Sequence, residues 1–173
     1  MSKRPEDDAE AGSSPACAMH EAGDVYMGYA DREELIAFLN EMLEAERAGA
    51  RIARESANAG SGDPLADLMR TVRRDEARWC AVLFRHVKAL GAAPSDNIGA
   101  FYDKAMAIPD AVERLALLNR GQGWVVRKLR AMLPRVRSDL LHKDLAEMLQ
   151  SHETNIALAE VLLGRLRNAT KLP

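Results

Sequence analysis

The chain has 173 residues, 47% of them hydrophobic, which is enough for one domain of ordinary size with a single core. Its 24 Lys and Arg residues nearly balance 26 Asp and Glu residues, so no global charge attracts nucleic acid or an anionic membrane. Residues 1–14 lack the apolar core of a signal peptide, and no apolar run approaches the roughly 18 residues that span a bilayer. We therefore expect a cytoplasmic protein that binds neither nucleic acid nor membranes.

The amino terminus differs in composition from the rest of the chain. Residues 1–30 are rich in Ala, Gly, Ser, Pro and acidic residues without a sustained period, which predicts a flexible tail. Within it, Cys17, His20, Glu21 and Asp24 have a spacing that a soft metal accepts, although a solvated tail is the simpler interpretation. Two cysteines, one in this tail and one in a predicted helix, do not indicate a disulfide framework.

The first two predicted helices are marked by their end signals. Asp31 begins the first helix, with Glu34 completing a pair that resembles a capping box. This helix ends near the Asn-Ala-Gly-Ser-Gly stretch at 58–62. Asp63 caps the second helix, Pro64 lies in its first turn, and Gly91 closes it.

The last two predicted helices follow a longer connection. The third runs from about Asp110 to Leu133, because Pro134 cannot continue it. Ser138 and Asp139 begin the fourth, which runs to about Arg167. The helical domain is thus predicted to cover residues 31–168, and residues 169–173 form a short carboxy-terminal tail.

The lengths of the connections predict the topology. Short connections join the first helix to the second and the third to the fourth, so each pair is expected to form an antiparallel hairpin. Residues 92–109 form a longer link, with a short helix expected around 98–107. Such a link reaches roughly 60 Å when extended, more than the roughly 40 Å length of these helices. We predict an all-α four-helix bundle of two antiparallel hairpins joined by a long crossover.

Each predicted helix carries one polar residue in the middle of an otherwise apolar face: Glu46, Glu76, Gln122 and His152. The face of the first helix reads Leu35, Leu39, Met42, Glu46, Ala50 and Ala53. Steps of three and four residues follow one side of a helix. Each polar residue lies roughly thirteen to fifteen residues from its helix start, which is near half height at about 1.5 Å per residue. Antiparallel packing therefore predicts that all four meet in one buried layer.

These residues and connections resemble the ferritin-like superfamily over about residues 31–167, in particular the rubrerythrin and bacterioferritin branches and an uncharacterised bacterial ferritin-like family. The segment Glu-Arg-Ala-Gly-Ala at 46–50 looks like the metal-ligand segment of the first helix, and 75–79 is similar to the Glu-x-x-His of the second. Residues 120–122 fall at the third-helix glutamate, and 152–156 align with the fourth-helix Glu-x-x-His. The resemblance implies ferritin-like topology and a metal site in the polar layer.

The sequence keeps only part of the metal ligands that the resemblance implies. A di-iron carboxylate site takes a Glu from each of two helices and Glu-x-x-His from each of the other two. Here Trp79 replaces one His and would fill space beside the metal, while Gln122, His152 and Asn155 replace Glu, Glu and His. The remaining two carboxylates and one imidazole carry too little negative charge for an intact di-iron centre.

Two interpretations of the layer remain open, and they leave enzymatic activity undecided. In the leading one, the di-iron site has degenerated into a polar core network, with a protonated His152 between two carboxylates, in a structural or weakly metal-binding protein. In the alternative, Glu46, Glu76 and His152 ligate a single divalent iron, zinc or manganese ion for redox or oxygen chemistry, while Gln122 and Asn155 orient the carboxylates or a bound water. In both we expect a homodimer formed through an exposed helix face.

Overall fold

The structure, a computed structural model, describes residues 27–57 and 63–169. The predicted flexible tail up to residue 26, with Cys17 and His20, lies outside these residues. The same holds for the loop at 58–62 and for residues 170–173. The predictions made for those segments remain predictions.

The described part of the chain is all-helical and contains no strand, which confirms the all-α class. Its helices are α1 (Arg32–Ser56), α2 (Pro64–Ala89), α3 (Phe101–Met106), α4 (Ala111–Met132) and α5 (Asp139–Ala169), with a 3-10 turn (Leu133–Arg135) after α4. The predicted helix ends are accurate to a few residues, and α3 is shorter than the helix expected at 98–107. None of these helices, within the described ranges, has both the length and the apolar character required to cross a bilayer.

Aspartate caps fix the starts of three long helices. Asp31, Asp63 and Asp110 each accept a hydrogen bond from a backbone N–H in the following turn, at 2.7, 3.1 and 2.8 Å respectively. Such caps stabilise a helix by about 1 kcal/mol. The capping box predicted for α1 is only half formed, because the Glu34 carboxylate accepts instead from Arg135 at 2.8 Å.

The buried apolar side chains form two clusters at opposite ends of the long helices. The first cluster combines the first halves of α1 and α5 with the second halves of α2 and α4, for example Leu39, Leu83, Leu129 and Leu145. The second cluster combines the remaining halves, for example Ile52, Met69, Leu118 and Leu163. Therefore α1 runs opposite to α2, and α4 runs opposite to α5. Each of these pairs packs closely, and α2 also contacts α5 while α1 contacts α4.

The segment between α2 and α4 lies along α1. Near its start, the Ser95 N–H donates to the side-chain oxygen of Asn40 at 2.7 Å. Near its end, the Tyr102 hydroxyl donates to the Glu55 carboxylate at 2.8 Å. Asn40 and Glu55 are about 22 Å apart along α1 at about 1.5 Å per residue. The segment therefore runs from the first apolar cluster to the second.

Candidate metal centre

The predicted polar layer is present between the two apolar clusters. Glu46 on α1, Glu76 on α2, Gln122 on α4 and His152 on α5 are each at most 5% exposed. Potential ligand atoms of Glu46, Glu76 and His152 all lie within 4.8 Å of one another. Four residues far apart in the sequence therefore meet in one buried group, as the helix periodicity predicts.

Two hydrogen bonds orient the imidazole of His152. Its Nδ1 lies 3.1 Å from the carbonyl oxygen of Met148, and its Nε2 lies 3.1 Å from Oε1 of Glu46. Because a carbonyl oxygen only accepts, Nδ1 carries a proton and donates it. A histidine that donates one ring N–H to a backbone carbonyl presents the other nitrogen to a metal, which is the orientation usual in metalloproteins.

Burial and the neighbouring charges shift the pKa values of His152 and Glu76. Burial alone would lower the pKa of His152, but the charge and hydrogen bond of Glu46, together with Glu76, raise it to about 9. Burial raises the pKa of Glu76 well above its ordinary value, and the charge of Glu46 adds to this effect. A bound cation would displace protons from these two side chains, because metal ligands must be deprotonated.

Two buried acceptor atoms in the layer have no donor in the described ranges. The Gln122 amide nitrogen donates to Oε1 of Glu76 at 3.3 Å. However, Oε2 of Glu46 and Oε1 of Gln122 are buried without a hydrogen-bond partner. Leaving such a group unsatisfied costs roughly 1–3 kcal/mol. A metal ion and a metal-bound water are species that would satisfy both atoms.

Gly49 leaves room for one of the carboxylates. A Cβ at this position would lie 2.0 Å from Oε2 and 2.5 Å from Cδ of Glu76, far inside van der Waals contact. The Glu76 carboxylate therefore packs directly on the backbone of α1, one turn after Glu46. This contact is not predicted from the sequence, although a glycine within an otherwise regular helix is a signal for it.

Trp79 and Asn155 are buried, and Asn155 makes a contact that the sequence does not predict. The Trp79 side chain packs in the first apolar cluster, and its indole N–H has no partner in the described part of the chain. The amide nitrogen of Asn155 donates to Oδ2 of Asp75 at 3.2 Å, so this group is directed at α2 and not at the Glu46 or Glu76 carboxylate. The role of Asp75 as this acceptor is not predicted from the sequence.

A cavity of about 430 Å³ adjoins the layer. Glu46, Glu76, Gln122 and His152 line its buried end, which we call the floor. Its walls are mainly apolar and include Phe101, Leu118, Trp124 and Val125. Exposed residues line its outer end, the mouth, among them Glu41, Ala100 and Arg120. The volume is within the range of small-molecule sites, and the cavity extends from exposed residues to the layer.

Comparisons with known proteins identify a family but no chemistry. Residues 33–161 match the family model described as "Domain of unknown function (DUF6306)". Neither the curated proteins nor the solved structures give a match.

Proposed function

The chain belongs to the DUF6306 family, whose description assigns no function, and we propose from its site that it binds one divalent transition metal ion through Glu46, Glu76 and His152. The observation that carries the proposal is the unpartnered, fully buried Oε2 of Glu46, placed beside two further ligand side chains. A carboxylate oxygen buried without a donor is costly, and coordination removes that cost.

The same observation favours a metal over the polar core network. In a network that replaces a lost metal site, the buried donors and acceptors should satisfy one another. Here Gln122 satisfies one oxygen of Glu76, and His152 satisfies one oxygen of Glu46, but two acceptors remain. A metal would take the place of the proton on Nε2 of His152, while the Met148 carbonyl would still accept the hydrogen bond from Nδ1.

The proposal includes a four-helix bundle of ferritin-like topology. Support comes from the antiparallel pairs α1–α2 and α4–α5, and from the connecting segment that runs along α1 between the two apolar clusters. Two hairpins joined by one long crossover are the ferritin-like arrangement. A polar layer halfway along the helices is where such proteins build their metal sites.

The ligand types suit several metals. Two carboxylates and one imidazole are the set that holds one ferrous ion in the facial-triad oxygenases, and zinc or manganese also accept it. Three ligand side chains would leave room for water or substrate on such an ion, and iron or manganese would supply redox chemistry. The chain contributes the ligands, the acceptor Oε1 of Gln122 for a bound water, and the cavity through which a small molecule approaches.

Metal analysis tests the proposal. We expect about one transition metal ion per chain in protein purified without chelator or reconstituted anaerobically with ferrous iron. The Glu46→Gln and His152→Gln variants should bind at least about a hundredfold more weakly. The control Glu160→Gln changes an exposed acid on the same helix as His152 and should retain the metal. Wild-type protein that takes up neither iron, manganese nor zinc would restore the polar-network interpretation.

A further inference from the structure

The charged side chains that line the cavity above its floor balance one another. Glu41 pairs with Lys128 at 2.7 Å, so these two charges cancel. Glu44 accepts a hydrogen bond from the neutral Ser95 hydroxyl and has no cation partner in the described part of the chain. Arg120 also lines the cavity and, among the same residues, has no anion partner. One carboxylate and one guanidinium therefore remain, and they give no net preference for an anion or a cation.

The floor adds no net charge in the metal-bound form that we propose. The two carboxylates of Glu46 and Glu76 balance one divalent ion, and a histidine ligand is neutral. A charged ligand would therefore lose its hydration in the cavity without meeting an excess of opposite charge. Because an unpaired charge is costly to bury, the cavity favours an uncharged ligand.

The walls favour an apolar body of limited size. Phe101 and Trp124 present aromatic rings, and Leu118 and Val125 present aliphatic side chains. The volume of about 430 Å³ lies in the lower part of the range of roughly 300–1,000 Å³ that small-molecule sites cover. Such a space suits one ring with a short side chain.

The floor presents a buried acceptor to the ligand. Gln122 lines the floor and is 5% exposed. Its amide nitrogen donates to Oε1 of Glu76, whereas its own Oε1 has no donor in the described part of the chain. A hydroxyl group donates its hydrogen to such an acceptor and keeps lone pairs for a metal. An ether or a hydrocarbon has no hydrogen to donate, and an amide N–H has no lone pair for the metal.

We propose that the cavity binds a small uncharged alcohol with an apolar body. The hydroxyl of the alcohol donates to Oε1 of Gln122 at the floor, and its body packs on apolar walls such as Phe101 and Trp124. The inference rests on the proposed function for the contact of the hydroxyl oxygen with a metal. The hydrogen bond to Gln122 and the packing on the walls need no metal.

Titration of the full chain with benzyl alcohol tests the inference, both in metal-free protein and in protein loaded with zinc. Isothermal calorimetry should show saturable binding at one alcohol per chain in both forms. Anisole is an isomer without an O–H donor and should bind at least about fivefold more weakly, because Oε1 of Gln122 would stay unpaired. In the zinc-loaded form, the charged analogues benzoate and benzylamine should bind at least about tenfold more weakly than the alcohol.

A pair of variants tests whether the alcohol occupies the cavity. Ala45 is half-buried in α1 and lines the cavity, so the larger side chain of Ala45→Phe should fill part of the space and weaken binding at least about tenfold. The matched control Ala131→Phe adds the same side chain at an exposed position of α4 that does not line the cavity, and it should change affinity less than twofold.

Each contrary outcome has a definite meaning. Absence of saturable binding, equal affinity for the alcohol and anisole or for the alcohol and either charged analogue, or equal effects of the two phenylalanine variants would overturn the inference. So would binding to the zinc-loaded form alone, because the metal and not the cavity would then hold the alcohol. The comparison of ligands uses only wild-type protein, so the test survives if Ala45→Phe does not fold. If the protein takes up no metal but still prefers benzyl alcohol to anisole, the metal proposal fails and this inference stands.

Discussion

Substitution of Gly49 by alanine tests whether the Glu76 carboxylate is held where a metal needs it. In the interior of a helix, Gly→Ala ordinarily stabilises by about 1 kcal/mol. At this position the new Cβ would lie 2.0 Å from Oε2 of Glu76, whereas ordinary van der Waals contact begins at 3.4 Å. The carboxylate must therefore move by the difference, about 1.4 Å.

That movement costs more than the helix gains. Glu76 is 3% exposed and accepts its hydrogen bond from Gln122. Breaking this bond leaves buried polar atoms unpaired, at roughly 1–3 kcal/mol. We expect Gly49→Ala to lower the free energy of unfolding of the metal-free protein by up to about 2 kcal/mol. Metal–ligand distances tolerate only about 0.2 Å, so metal affinity should fall at least about a hundredfold.

Urea unfolding and cobalt titration measure the two effects. The matched control is Gly123→Ala in α4, where the nearest atom to a new Cβ is Nη1 of Arg127 at 3.7 Å. This control should gain about 1 kcal/mol of stability and bind metal as the wild type does. If Gly49→Ala behaves like the control in both assays, the Glu76 carboxylate is not fixed against α1 and the geometry proposed for the centre is wrong.

Three further predictions concern pH, thiol reactivity and packing. Because the pKa of His152 is raised from 6.5 to about 9, its contribution to stability is fully present below pH 6.5 and is lost as the pH rises through about 9. The raised pKa of Glu76 also makes stability fall as the pH rises. Metal-free protein should therefore lose up to about 3 kcal/mol across that range in urea unfolding, and a profile that rises with pH would contradict this reasoning. Burial raises the pKa of the Cys80 thiol to about 12, so little reactive thiolate should form at pH 8. In a Cys17→Ser variant, Ellman's reagent at pH 8 should therefore react at least about tenfold more slowly with the native than with the unfolded protein. Equal rates would show an accessible thiolate. Gly121→Ala would place a Cβ 2.6 Å from the ring of Phe101 and should destabilise by about 1 kcal/mol or more in thermal unfolding, whereas a higher midpoint would show that the ring is free to move.

The sequence was sufficient to predict the helices and the residues of the layer because both follow from local rules. A helix face repeats every 3.6 residues, so Glu46 and His152 could be assigned to buried faces from their apolar neighbours alone. The caps at Asp63 and Asp110 depend only on the residues that follow them. Similar distances from the helix starts then placed the four polar residues at a common height.

The contacts between helices could not be predicted in this way, because they depend on how each helix is rotated against its neighbours. The resemblance to a Glu-x-x-His motif placed Asn155 near the layer, but the choice of Asp75 as its partner is decided by the packing of α5 on α2. The approach of Glu76 to Gly49 has the same origin. The expected homodimer also stays a prediction, which light scattering can test.

Gly99, Ala100 and Phe101 of the segment between α2 and α4 line part of the cavity, while the side chains proposed as metal ligands lie on α1, α2 and α5. The entrance of the cavity and the proposed metal ligands therefore lie partly on different elements. Substitutions in this segment should change the shape of the entrance while the proposed ligands stay on the long helices.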